Sequence, residues 1–390
     1  MVSGESKDLL NGLYTVGLNY WQYNTGVVNE LLPLFKHLEK GKMGMQGNVT
    51  LGWEIINATI PAALPGFIKG SFNKPITYYS TIDFLGESIE VLITANTEDE
   101  IKKYQTDVID RIMYMLYLRQ DPTKNKGKLK KVSIYLSDYK KEFFRDWCAN
   151  NDIEQKDVNT GYATHDGQVV LYRKEELLKV LVHELIHALQ FDKEIATIEP
   201  TYKKQKGISS QKTIRLTETF TEFWACVINC YLVAEKIEDT SEQVFCRFIH
   251  YLECEVAFSI IQMLKFMMSL HWIPSQKKAI STLTKQTDKH TNVFSYYFLK
   301  THLLMNINDF ICLTETKDDY VIYRSTKQRN KNVLSLLLEF NKQIINTYYK
   351  YEMYASSLRN RQFNEELSDE KKRIIYKLFI TSRMTCIELF

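Results

Sequence analysis

Proline and glycine are scarce in this chain, 7 and 15 of 390 residues. With the abundance of lysine, asparagine, isoleucine and tyrosine, that scarcity suggests an A/T-rich genome such as a virus or parasite carries; it says nothing of chemistry. Cysteine is present but unorganised: there are seven, an odd number, with no C-x-x-C pair. Cys226 and Cys230 stand four apart in an apolar stretch and read as small buried thiols rather than metal ligands. A reducing, cytoplasmic setting is the expectation. The opening MVSGESKDLL has neither a basic head nor an apolar core, so it is no secretory signal. Neither sign of charge dominates, with 50 basic against 47 acidic residues, and no nucleic acid or other polyanion is implied as partner. The longest apolar run, Val256–Ile273, is broken by Lys265 and His271 and reads as a buried helix, not a membrane span. There are no repeats or low-complexity tracts. At 45% hydrophobic residues the chain can bury one large core or two moderate ones.

What the chain does contain is Leu177–Asp192, LLKVLVHELIHALQFD, with His183-Glu184-Leu185-Ile186-His187 as a complete H-E-x-x-H. Residues four apart share one helix face, so both imidazoles can reach one ion. Glu184 projects about 100° away from His183 round the axis. It can therefore stand beside a metal-bound water without ligating the metal. Two nitrogen ligands and a carboxylate base are what a zinc peptidase needs. The rest of the helix is apolar on nearly every side, and polar groups buried there require partners. A shared metal ion supplies one.

A second apolar helix, Leu216–Ala225, carries two carboxylates four apart, Glu218 and Glu222. Here the chain resembles zincin metallopeptidases of the gluzincin type, in which H-E-x-x-H is followed by a helix reading roughly N-E-G-x-A-E-Y. LTETFTEF aligns with it, with Thr217 for Asn, Thr219 for Gly, Thr221 for Ala and Phe223 for Tyr. The resemblance makes Glu218 the third zinc ligand and Glu222 a supporting carboxylate; the residues themselves leave Glu222 open as the ligand instead. The two threonines, and a longer gap between His187 and Glu218, depart from the family pattern. Asp192 is a weaker candidate ligand, better read as a helix cap or a solvated acid.

Alternation and turn chemistry order the remaining elements. Ile76–Phe84 and Ser88–Thr94 read as strands bracketing Gly86. Thr97 and Glu100 form a capping-box pattern opening a helix to about Leu118. Lys130–Ser137 is a strand. Val158–Thr164 and Gln168–Arg173 flank the turn His165-Asp166-Gly167. The His-bearing helix begins at about Lys174. Residues 1–75 read as helices and loops; Asp192–Arg215 reads as a mobile polar wall; the chain beyond Glu235 is mainly helical, near Ser241–Trp272, Asn292–Met305, Lys331–Tyr349 and Ser368–Phe379. The fold class is therefore α+β, in three parts: an extension (1–75), a part with sheet and His-bearing helix (76–191), and a helical part (192–390). The zincin resemblance implies a twisted mixed sheet for the middle part. It also implies an edge strand at the cleft, where Gly161, Tyr162 and Ala163 would bind an extended peptide by strand addition. Such enzymes place a tyrosine or histidine to steady the oxyanion. Tyr296 and Tyr297 are the candidates, with His250, His271 and His302 as alternatives.

The functional expectation is a zinc-dependent peptidase acting on a peptide or protein, with one Zn2+ on His183, His187 and Glu218 and Glu184 as general base. The alternative is a zincin fold that keeps its metal but serves as an inactive binding or structural protein.

Overall fold

The computed structural model describes residues 2–16, 25–43, 52–57, 59–84, 86–119, 129–141, 155–209, 214–269, 292–314, 327–340 and 368–389. The chain forms two compact units, one made of 36–140 and 159–191, the other of 1–35, 141–158 and 192–390.

The first unit is built on a mixed sheet of six strands. These are β1 (Glu54–Asn57), β2 (Ile76–Phe84), β3 (Glu87–Ala95), β4 (Lys131–Tyr135), β5 (Gly161–Ala163) and β6 (Gln168–Leu171), in the order β1-β2-β3-β4-β6-β5. The β3/β4 and β4/β6 pairs are parallel and the others antiparallel. Two tight turns are glycine-dependent. Gly86 (φ 78°) closes the β2–β3 hairpin and Gly167 (φ 90°) the β5–β6 hairpin, a conformation that a Cβ disfavours. β1 lies inside the stretch read from sequence as helix and loop. Four exposed residues are too short and too wet to show alternation. Leu64 and Ile68 from the following segment are buried with Tyr135 and Tyr172, so this part of the chain belongs to the sheet unit.

The backing helix, Glu98–Leu118, packs on β2 and β3 and on the His-bearing helix. Its buried stripe includes Ile101, Val108, Ile112 and Met115. The Glu100 amide donates to the Thr97 hydroxyl at 3.3 Å, and three acids occupy the first turn, which suits the helix dipole. Only half of the capping box forms. The Glu100 carboxylate instead takes the Lys174 ammonium.

The second unit is helical. The Glu218-bearing helix, Leu216–Ile237, packs along the long helix Ser241–Ser269 and on a π-helix, Phe294–Leu299, that continues as Lys300–Met305. The N-terminal helix, Gly4–Val16, packs against the helix Asp369–Ile380. Ile307–Thr314 and Lys327–Leu338 complete the described helices. The expected helix to Tyr349 is described only to Leu338 in helical form, and 341–349 lie outside the described residues. Asp192–Arg215 is not simply a loop: it contains the short helices Lys193–Ala196 and Glu199–Gln205. Among the described residues no helix is long and apolar enough to cross a membrane.

Candidate metal centre

The His-bearing helix runs Leu177–Ala188 and packs on β5, β6 and the backing helix. Eleven of its twelve residues are buried, because apolar side chains occupy nearly every face. His183 and His187, one turn apart, bring their ring centroids to 4.9 Å with planes at 75°. His183 and Glu184 are buried; His187 is half-buried. Close by in electrostatic terms is Tyr172, whose phenol is pushed up to about 12 by burial, with the Glu184 charge adding to the shift. It stays a neutral hydroxyl at neutral pH.

Both ends of this helix are held in unusual backbone. Glu176 (φ 60°) precedes it and Gln190 (φ 60°) follows it, the two non-glycine residues with positive φ among those described. At the C-terminal end Gln190 donates to the His187 carbonyl (3.0 Å) and Phe191 to that of Ile186 (3.0 Å), a left-handed closure normally given to glycine. Strained residues of this kind cost about 1–3 kcal/mol each and persist where the surroundings over-determine them. The helix therefore starts at Leu177, later than expected. The Lys174–Glu176 stretch turns instead, with the Lys174 ammonium on Asp138 (2.8 Å) and Glu100.

In the helical unit, Glu218 and Glu222 are both buried on the Leu216–Ile237 helix. The first amide of that helix, Leu216, donates to Glu199 Oε2 at 2.9 Å, so an acid from the connector caps its positive end. No residue pattern had marked Glu199 for this role. Glu218 Oε2 accepts the Tyr296 hydroxyl at 3.2 Å. The neighbouring Tyr297 hydroxyl goes elsewhere, to the Ser382 carbonyl. Of the two tyrosines, the fold brings only Tyr296 to the carboxylate. The π-helix, with its i→i+5 spacing, separates them. Thr219 and Thr221, standing where glycine and alanine were expected, are buried, and their hydroxyls find no partner among the described residues.

β5 is the end strand of the sheet, as expected, and Tyr162 at its centre is exposed. A Cβ on Gly161 would come within 2.6 Å of the Val170 carbonyl oxygen, so glycine is required for β5 to approach β6. The alternative histidines are engaged elsewhere. His302 Nε2 meets the Leu336 carbonyl at 2.8 Å in the core, His250 Nε2 meets the Tyr14 hydroxyl at 3.0 Å at the surface, and His271 lies outside the described residues. His165 is exposed in its turn. Asp192 precedes the Lys193–Ala196 helix without capping it through its side chain, and it is buried rather than solvated. The cysteines described are in no disulfide among the described residues; Cys226, Cys230, Cys254 and Cys386 are buried.

Among the described residues, His183, His187 and Glu218 make up the one group of His, Cys, Asp or Glu side chains that could hold a metal ion.

No family model matches the chain, and no solved structure matches it. It is similar to an uncharacterized protein of Acanthamoeba polyphaga mimivirus. The two are 24% identical over 203 residues, covering 45% of this chain and 51% of the viral protein. The match thus spans about half the length of that relative.

Proposed function

We propose that this chain is a zinc-dependent peptidase with a zincin-like sheet unit, in which His183, His187 and Glu218 hold the metal and Glu184 is the general base. The observation that carries the proposal is the donor set. Two imidazoles one helical turn apart, 4.9 Å between rings, combine with a buried carboxylate as the group able to hold an ion. Two nitrogens and one oxygen suit Zn2+, and three protein ligands leave a coordination position open, as catalytic rather than structural sites do.

A bound zinc ion supplies Lewis acidity, acidifying water and polarising a carbonyl. The chain's own groups do the rest. Glu184 accepts the proton of the water that attacks the scissile carbonyl and then delivers it to the leaving amine. The Tyr296 hydroxyl, on Glu218 Oε2 at 3.2 Å, orients that carboxylate and would steady a developing oxyanion by turning its one proton from Glu218 to it. The open edge of β5 at Gly161–Ala163 offers backbone groups to an extended peptide, which would add as a further strand.

Elemental analysis and hydrolysis of a peptide library, measured together, test the proposal. The wild-type chain is expected to carry zinc and to hydrolyse peptides. Glu184→Gln should keep the metal and lose about 10²–10⁴-fold in turnover, the range general-base catalysis supplies. His187→Ala should lose the metal. A Glu184→Gln chain as fast as wild type would remove the base assignment. A metal-loaded wild type inert across the library would leave a binding protein.

A further inference from the structure

Beyond Ile380 the helical unit contains a stretch that is neither helix nor sheet strand, yet every residue from Thr381 to Leu389 is buried. Main chain buried in a core without helix or strand pairing must find other hydrogen-bond partners. Here side chains supply most of them. Lys265 Nζ donates to the Thr381 carbonyl and the Tyr297 hydroxyl to that of Ser382. Lys300 Nζ donates to the Met384 carbonyl at 2.9 Å, and Asn229 Nδ2 to that of Ile387 at 2.8 Å. The Glu255 carboxylate accepts the amides of Cys386 (2.9 Å) and Ile387 (3.0 Å) and also the Thr385 hydroxyl. Backbone groups close the ends: Ser382 donates to the Lys141 carbonyl (3.1 Å), and the Ser3 amide donates to that of Glu388 (2.8 Å).

These groups come from three helices, and each is almost wholly removed from water. A permanent core would do better with apolar side chains, since burying lysine and glutamate is costly whether they keep their charge or are pushed toward neutrality, as burial drives Lys265 down and Glu255 up. A site whose polar groups read the main chain of a non-helical segment is instead how one protein binds a peptide of another. With the segment out, water would solvate the same lysines and the glutamate. Docking is therefore a small difference between large terms.

We propose that the helical unit is a receptor for a non-helical peptide segment. Thr381–Leu389 is its resident ligand, docking and leaving as one piece, and through Tyr297 the docked segment holds Tyr296 against Glu218. Tyr296 and Tyr297 are consecutive in the π-helix, and the Tyr297 carbonyl is tied to the Thr301 hydroxyl at 2.6 Å. Anchoring one phenol on Ser382 sets the phase of the turn, and with it the other phenol. This makes Tyr297 a positioning residue. The clause concerning Tyr296 rests on the zinc-site reading above; the receptor itself does not.

Amide hydrogen exchange on the full chain tests the receptor. Amides of 382–389 are expected to exchange together, through an opening that leaves Leu216–Ile237 and Ser241–Ser269 protected. Glu255→Gln should raise that opening about tenfold without altering the two helices. If 382–389 exchange only when both helices do, the segment is an integral core element and the receptor idea fails. Tyr297→Phe tests the coupling. It should raise the same opening and lower kcat for peptide hydrolysis by about tenfold, with KM and zinc content unchanged. Raised opening with unaltered kcat overturns the coupling. A wild type with no peptidase activity would sink the peptidase reading, while the exchange data would still decide the receptor.

Discussion

Two non-helical stretches of this chain run through its cores, and they satisfy their main-chain groups in opposite ways. β3 lies between β2 and β4, and its main-chain groups are paired with other main chain along its length. Thr381–Leu389 takes its partners from lysine, asparagine, tyrosine and glutamate side chains on helices. Backbone pairing leaves the side chains of β3 free to be apolar: Ile89, Val91 and Ile93 are all buried. The other stretch, TSRMTCIEL, needs no apolar run, because its surroundings carry the polar burden. The stability of β3 should therefore reside in packing, and that of 381–389 in individual hydrogen bonds.

The largest effect expected from that contrast is at Ile93. It is fully buried and stands opposite Tyr78 on β2 and Ile134 on β4. Ile93→Ala should cost about 2–5 kcal/mol in urea unfolding followed by a sheet-unit signal, the usual toll for a buried aliphatic truncation. Asn229→Ala comes next. It removes the shorter of the two donors to the buried Ile387 carbonyl, leaving the Thr385 hydroxyl at 3.4 Å, which should cost about 1–3 kcal/mol. If the order of the two were reversed, the division into a packed strand and a hydrogen-bonded one would be wrong.

The same contrast explains which parts of the molecule could be read in advance. The sheet and its backing helix were legible because period and turn chemistry are local properties: Ile76–Phe84 matches β2, and Asp166-Gly167 marks the β5–β6 turn. His183 and His187 were legible because a helix dictates that residues four apart share a face. Tyr296 could not be told from Tyr297. An α-helical reading of Asn292–Met305 hides the π-helical turn that sends one hydroxyl to Glu218 and the other to Ser382. Nor could Glu199 be seen as the cap of the Leu216–Ile237 helix, since the bond crosses a connector whose path no periodicity encodes. The left-handed Glu176 and Gln190 were equally silent, because residue type announces such backbone only when it is glycine or asparagine. The segment 381–389 is illegible for a related reason: its partners are distant side chains.

The smallest effect gives the sharpest control, because the two units share one local device. Thr97 caps the backing helix of the sheet unit by accepting the Glu100 amide at 3.3 Å. Ser368 caps Asp369–Ile380 in the helical unit by accepting that of Lys371 at 3.4 Å. Both bonds are exposed and span three residues, and both helices carry acids in the first turn. Removing either hydroxyl should therefore cost about 1 kcal/mol by the ordinary chemistry of a lost N-cap. Thr97→Ala is expected to stop there, for the backing helix is also held by its buried stripe. Asp369–Ile380 leads directly into Thr381. Ser368→Ala should therefore also loosen the first anchors of the segment, Lys265 on Thr381 and Tyr297 on Ser382. Thermal melts of the two variants should then agree within a few tenths of a kcal/mol, while hydrogen exchange at 382–389 rises in Ser368→Ala alone. Equal exchange in both would mean that the segment is held independently of the helix before it.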